Sequence, residues 1–251
     1  MIDAISIANS GLTAHQKWLD TISSNISNMQ TMGYKKENAR FSNLIATNNF
    51  NNIISQQGIG VSLENNYTDF KNGDVQTTNQ PYDFAIQGKG FFEIEQPDGS
   101  LAYTRVGQFH VNSDGQLALA NGQVLTADIR IPPDVEHVKL TSDGILSGKV
   151  VGTGEELELG KIELVSFNND SQLKKMGNGL YLPTQLSGEP QYGEMNSEGM
   201  GTVLQGHLEM SNVDLVSEIS NLIMAQRAYQ LNARVLQAGD QIMETINNLR
   251  R

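Results

Sequence analysis

The sequence predicts an α+β fold, with long N- and C-terminal helices packed as a coiled-coil-like pair and a β-rich antiparallel middle domain. Three observations carry this. Apolar residues step by three and four through both ends of the chain. Between the ends they fall into short runs separated by Asp-Gly and Asn-Gly, the chemistry of hairpin turns. Charge is also unevenly spread. The chain carries −11, yet residues 1–40 hold four Lys/Arg against three acids and residues 211–251 hold four of each, so the acidity lies in 41–210. Near-neutral ends suit dense packing, and an acidic middle suits solvent.

The first element is a helix over about residues 3–29. Ile5, Ala8, Leu12, His15, Leu19, Ile22, Ile26 and Met29 follow a heptad-like seam. At 1.5 Å per residue it would be roughly 40 Å long. Gly11 is a weak point inside it, and Gly33 is the residue expected to end it. With the turn that follows, this makes an N-terminal helical segment over 1–33.

Residues 34–81 are rich in Asn, Gln and Gly and predict an extended linker with short strands. Residues 82–210 predict the β-rich domain. Strand-like runs begin at Phe84, Gly90, Leu101, Gln108, Gln116 and Lys161, and turn signals stand at Asp98-Gly99, Asp114-Gly115, Asn121-Gly122, Asp143-Gly144 and Asn178-Gly179.

The last segment, 211–251, predicts a second helix over about 214–249. Leu222, Ala225, Tyr229, Asn232, Leu236, Gly239, Met243 and Ile246 repeat the three–four stepping, and Ile219, Ile223, Val235 and Ile242 widen the stripe. Asp214 is placed to cap it, and no proline follows residue 190. Neither helix can bury its stripe alone, and an isolated helix gains little from propensity. Pairing of the two ends, completed by neighbouring copies, is therefore expected, with both segments poorly ordered until such partners arrive.

Several function classes are disfavoured. Net negative charge argues against nucleic acid as a partner. No run approaches the roughly 20 apolar residues of a membrane span, so no membrane insertion is expected. The N-terminus has neither a basic region nor a continuous apolar run, so no cleavable signal peptide is expected. Without cysteine there is no thiol or disulfide chemistry. Gly88-Lys89-Gly90 lacks the rest of a nucleotide-binding fingerprint and reads as a turn. His15, His110, His137 and His207 have no ligand spacing, and the acids around Glu155, Glu156 and Glu158 read as a solvated face. Neither enzyme activity nor a cofactor is expected.

Three stretches carry a resemblance. The first is Gly11-Leu-Thr-Ala-His-Gln-Lys-Trp-Leu-Asp-Thr-Ile-Ser-Ser-Asn-Ile-Ser-Asn28, followed by Thr31-Met-Gly-Tyr-Lys35. The second is Gln76-Thr-Thr-Asn-Gln-Pro-Tyr-Asp-Phe-Ala-Ile-Gln-Gly-Lys-Gly-Phe-Phe92, with Tyr103-Thr-Arg-Val-Gly-Gln-Phe109. The third is Gln205-Gly-His-Leu-Glu-Met-Ser-Asn-Val-Asp214, with Ala225-Gln-Arg-Ala-Tyr-Gln-Leu-Asn232. Together they resemble the flagellar rod and hook axial family over nearly the whole chain and in the right order. Ser24 and Ser27 stand where that family usually has Asn and Ala, and Gln230 stands for its usual Glu. Moderate length and the absence of a large central insertion look most like a distal rod member, with a proximal rod paralogue as the near alternative.

The resemblance implies a structural subunit of the basal body, exported without signal cleavage through the flagellar type III apparatus. It implies a helical homo-polymer with terminal helices lining a tube and β domains outside. The tube would cross the periplasm, turn inside a bushing ring, join other rod and hook proteins, and pass motor torque to the hook. The residues expected at the self-assembly interface are Leu12, Leu19, Ile22, Asn25, Ile26, Asn28, Leu222, Gln226, Tyr229, Asn232, Leu236 and Ile246. Arg227, Arg234, Arg250 and Arg251 could pair with acids of adjacent helices, each exposed pair contributing about 0–1 kcal/mol. The rival reading is a secreted β-rich glycan-binding or cell-wall-acting protein with oligomerising helices, which would need a concave polar pocket in 82–210.

Overall fold

The computed structural model describes residues 2–50, 53–64, 66–127, 129–152, 154–197 and 199–249. Arg250 and Arg251, two of the expected pairing cations, lie outside the described residues. The fold is α+β, as the patterning predicts. A helix α1 (Ile2–Ser27) opens the chain, a helix α2 (Leu215–Leu249) closes it, and the strands between them pair antiparallel. The chain divides into two compact bodies. One comprises Met1–Ser27, Glu37–Tyr67 and Val213–Arg251; the other comprises Asn28–Lys36 and Thr68–Asn212. The backbone therefore passes between them four times.

The first body is helical, with one hairpin. α1 stops earlier than its stripe, before Asn28, whose carbonyl and side chain accept hydrogen bonds from Thr31 in the turn that follows. Gly33, expected to end the helix, instead lies within the second body at φ +68°, where a Cβ would crowd Val106. α2 begins as predicted. The Asp214 carboxylate accepts hydrogen bonds from the amides of Val216 and Ser217, taking up donors that the first turn leaves without helical partners.

Residues 34–81 differ from the linker with short strands that their composition suggested. Phe41–Phe50 and Ile53–Leu63 form a long antiparallel hairpin, in register from Phe41–Leu63 to Phe50–Ile53 with a bulge between Leu44 and Ile45. Its second strand docks on α1, where the Val61 amide donates to Ser10 Oγ.

The second body is the β-rich part. Its main sheet has seven strands, in the order 174–177, 180–182, 101–104, 92–95, 124–125, 117–119 and 109–111. A three-stranded sheet (135–140, 145–150, 156–161) and three two-stranded pairs complete it: 84–87 with 202–205, 75–77 with 207–209, and 164–166 with 191–193. The predicted turns are present. At Asn178-Gly179 both residues take positive φ, the geometry that joins two right-twisted strands in two residues.

Phe84, Ile86, Phe92, Ile94, Phe109, Leu117, Leu146 and Leu164 form the main core. A smaller aromatic cluster packs edge to face, with the Phe70 ring 5.0 Å from Phe91 and 4.9 Å from Tyr181.

Candidate self-assembly interface

The two terminal helices run antiparallel within the first body. Ile5 lies against Gly239, Gly11 against Asn232, and Asn25 against Glu218, so residue numbers rise on one helix as they fall on the other. Gly11 has a reason to be glycine here: a Cβ would sit 2.8 Å from Asn232 Nδ2. What looked like a weak point in the helix is a close approach between helices.

Near the C-terminal end of α1 the contact is polar and buried. Asn25 and Glu218 are each about 1% exposed. Asn25 donates to the Glu37 carbonyl at 2.8 Å and to Glu218 Oε2 at 3.3 Å, while its own carbonyl accepts from the Glu37 amide at 3.0 Å. Asn66 donates to Thr21 Oγ1 and to Glu37 Oε2. Both ends of the Asn25 amide are thereby used, which holds α1, the hairpin segment and α2 in one register.

On another face of α1, His15, Trp18 and Phe41 form an aromatic triangle, with ring centroids 5.7–6.0 Å apart. Burial holds the His15 imidazole below the ordinary histidine pKa.

The stripes are only partly covered. Ile22 is buried; Leu12, Leu19, Ile26, Leu222, Tyr229, Asn232 and Leu236 are half-buried; Gln226 is exposed. Every residue from 241 to 249 is exposed, Ile246 included. α1 begins at Ile2, opposite that end, and little of it remains to cover the last turns of α2. Apolar side chains outside the helix contact are left exposed on α2 as well, interrupted by Arg227 and Arg234. Ile219, Ile223, Leu231, Val235 and Ile242 are all exposed, Leu231 by 61%.

The comparisons with known proteins fall on the same segments. Residues 5–35 match a family described as flagella basal body rod protein. Residues 204–249 match the flagellar basal body rod FlgEFG protein C-terminal, and 85–148 match the flagellar hook protein FlgE/F/G D1 domain. The chain is 37% identical to the flagellar basal-body rod protein FlgG of Borreliella burgdorferi, with all of both chains covered. It is 35% identical to FlgG of Caulobacter vibrioides over 99% of this chain and all of that one, and 34% to FlgG of Bacillus subtilis over the whole of both. The chain belongs to the FlgG family of flagellar basal-body rod proteins. The flagellar hook-basal body complex protein FlhP of Bacillus subtilis is also similar, at 28% identity over both full lengths, below the FlgG of the same organism.

Two of the three matched segments include most of a terminal helix, and the third lies in the β-rich body. Of the twelve residues expected at the interface, eleven lie on the two helices inside the first body; nine of these are at least half-buried, and Gln226 is exposed. Ile246 lies on the exposed end of α2, and Asn28 falls past the end of α1 in the second body. Arg227 and Arg234 are exposed on α2. The exposed apolar side chains of α2 were only half legible. Ile219, Ile223, Val235 and Ile242 stood out as a widening of the stripe, but Leu231 did not. The signal was a second three–four series running beside the first.

The second body also has a cleft of about 610 Å³, lined by Tyr82, His137, Lys139, Lys149 and Glu156 among others. Lys149 lies across the strands from both Glu136 and Glu156, so charge there is balanced locally.

Proposed function

We propose that this FlgG-family chain is a non-enzymatic subunit of the distal flagellar rod that polymerises into a helical tube and passes motor torque to the hook. The observation that carries the reading is the set of apolar side chains along α2, from Ile219 to Ile246, left exposed on a single protomer. Large exposed apolar side chains clustered on one element mark association surfaces. A second copy offers the same composition, and repeated head-to-tail contact that does not close gives an open filament. In this reading the helices make coiled-coil-like contacts in the axial core, from 1–33 and 211–251. The acidic β-rich body, 82–210, lies outside, and 34–81 joins the two. Other rod and hook proteins, the bushing ring and the type III export apparatus are its partners in the basal body.

The test is Val235→Asp in the full chain. Val235 is exposed, so the protomer keeps its helical content and thermal midpoint. Polymers seen by sedimentation and electron microscopy, and motility in a complemented strain, are lost. Filaments of normal length from the variant would defeat the proposal. Binding of cell-wall glycan at the Tyr82–Lys149 cleft, abolished by Tyr82→Ala, would favour the rival glycan-binding reading instead.

A further inference from the structure

The second body is closed by a segment that arrives very late in the chain. Its strands Phe84–Gln87 and Val75–Thr77 have as sheet partners Thr202–Gln205 and His207–Glu209. Phe84, Ala85 and Ile86 are completely buried, so this is core structure and not an edge decoration.

The same late segment brings a charge. Lys35 and Arg105 are both buried, at 0% and 2% exposure. Glu209 is the carboxylate in ion-pair contact with each: Lys35 Nζ donates to Glu209 Oε1 at 2.7 Å, and Arg105 Nη1 lies 3.6 Å from Glu209 Oε2. Lys35 and Glu209 are 174 residues apart in sequence. Burial pushes the pKa of both cations down, opposed by Glu209.

The surroundings tie the backbone to the same point. The Gly73 amide donates to Glu209 Oε1 and the Gly33 amide to the Glu209 carbonyl. Gly73 must be glycine, because a Cβ there would overlap the Met210 carbonyl. The Lys36 amide donates to Asn212 Oδ1, and Asn212 Nδ2 donates to the carbonyls of Asp69 and Lys71.

We propose that Glu209 and the strands around it are a folding latch, keeping the β-rich body open until residues 202–212 are available. A chain made N-terminus first presents Lys35 and Arg105 long before Glu209. Closing the body at that stage would bury two cations without their shared carboxylate and would leave the 84–87 strand without its sheet partner. Burying an unpaired charge is among the most expensive events in a protein interior. The delay is therefore written into the order of the sequence and needs no other protein. It also keeps the chain from folding from its first four-fifths alone, which suits the export reading above.

The test uses the full chain in three forms: wild type, Glu209→Gln, and the charge-free triple Lys35→Met/Arg105→Met/Glu209→Leu. Equilibrium unfolding is followed by near-ultraviolet circular dichroism, which reports the buried tyrosines Tyr103 and Tyr181. Protease resistance is followed during cell-free synthesis of wild type. Glu209→Gln is expected to lower the folded-to-unfolded ratio of the β-rich body at least about a hundredfold, as removing one partner of a buried pair does. The triple variant recovers it to within about tenfold, because apolar replacements of a whole buried ion group are commonly tolerated. No protease-resistant fragment forms until synthesis has passed residue 212. A resistant β-rich fragment before residue 202 is made would overturn the proposal, as would a Glu209→Gln ratio within threefold of wild type. A triple variant as unstable as the single one would also overturn it, since charge would then not be what Glu209 supplies.

Discussion

His15 is half-buried between Trp18 and Phe41, and its imidazole is held below the ordinary value of about 6.5 by burial. A base with a depressed pKa in the folded state favours folding where it is neutral. As pH falls through about 6.5 the unfolded chain takes up the proton first, so stability drops. Trp18 is the chain's single tryptophan, so its emission reports this site alone. The thermal midpoint read by Trp18 should fall between pH 7 and 5, and His15→Phe should flatten that dependence. An unchanged slope in the variant would remove His15 from the account. Tyr103 gives the opposite limb. Burial, and after it the nearby Glu93 carboxylate, raise its pKa, so its stabilising contribution is complete below about pH 10 and is lost as pH climbs further. The stability difference between wild type and Tyr103→Phe should shrink between pH 9 and 11, measured by denaturant unfolding. Much at this scale was hidden from the sequence. Lys35, Arg105 and Glu209 each stood inside a recognisable stretch, but nothing local links three charges so far apart along the chain.

The polar node of the first body makes a prediction at the level of elements. Asn25→Ala removes the hydrogen bonds that Asn25 makes to the Glu37 backbone and to Glu218 Oε2 at a buried point, and should cost about 1–3 kcal/mol of helical stability. Thermal unfolding followed at the helical circular-dichroism band measures it, and a loss below about 0.5 kcal/mol would mean the node is dispensable. Elements were legible wherever one physical period dominated. Three–four stepping revealed α1 and α2, Asp214 marked the start of α2, and Asp-Gly and Asn-Gly located the hairpin turns. The hairpin Phe41–Phe50/Ile53–Leu63 was missed because its strands are rich in Asn, Ser, Gln and Gly, with no clean alternation of apolar and polar residues. Its order comes from pairing with itself and from docking on α1, and composition records neither. The end of α1 was misjudged by about two residues for a related reason: the stripe continues to Met29, but Asn28 and Thr31 turn the chain toward strands that lie far along the sequence.

For the molecule as a whole, the charge distribution bears on assembly. The residues between the two helical segments carry the net acidity, so copies brought side by side repel through their β-rich parts while the exposed apolar side chains of α2 attract. Raising salt screens the first interaction and strengthens the second. The critical concentration for polymerisation should therefore fall as sodium chloride rises from about 0.05 to 0.5 M, measured by pelleting; a rise would place salt bridges, not apolar contact, at the centre of assembly. The four passages of the backbone between the two bodies carry a further consequence. A load on one body is divided among four covalent tethers before it reaches the other, where an ordinary pair of domains hangs on a single thread. For a component of a rotating shaft, the joint is built as a cable, and one cut peptide bond there still leaves three cords intact.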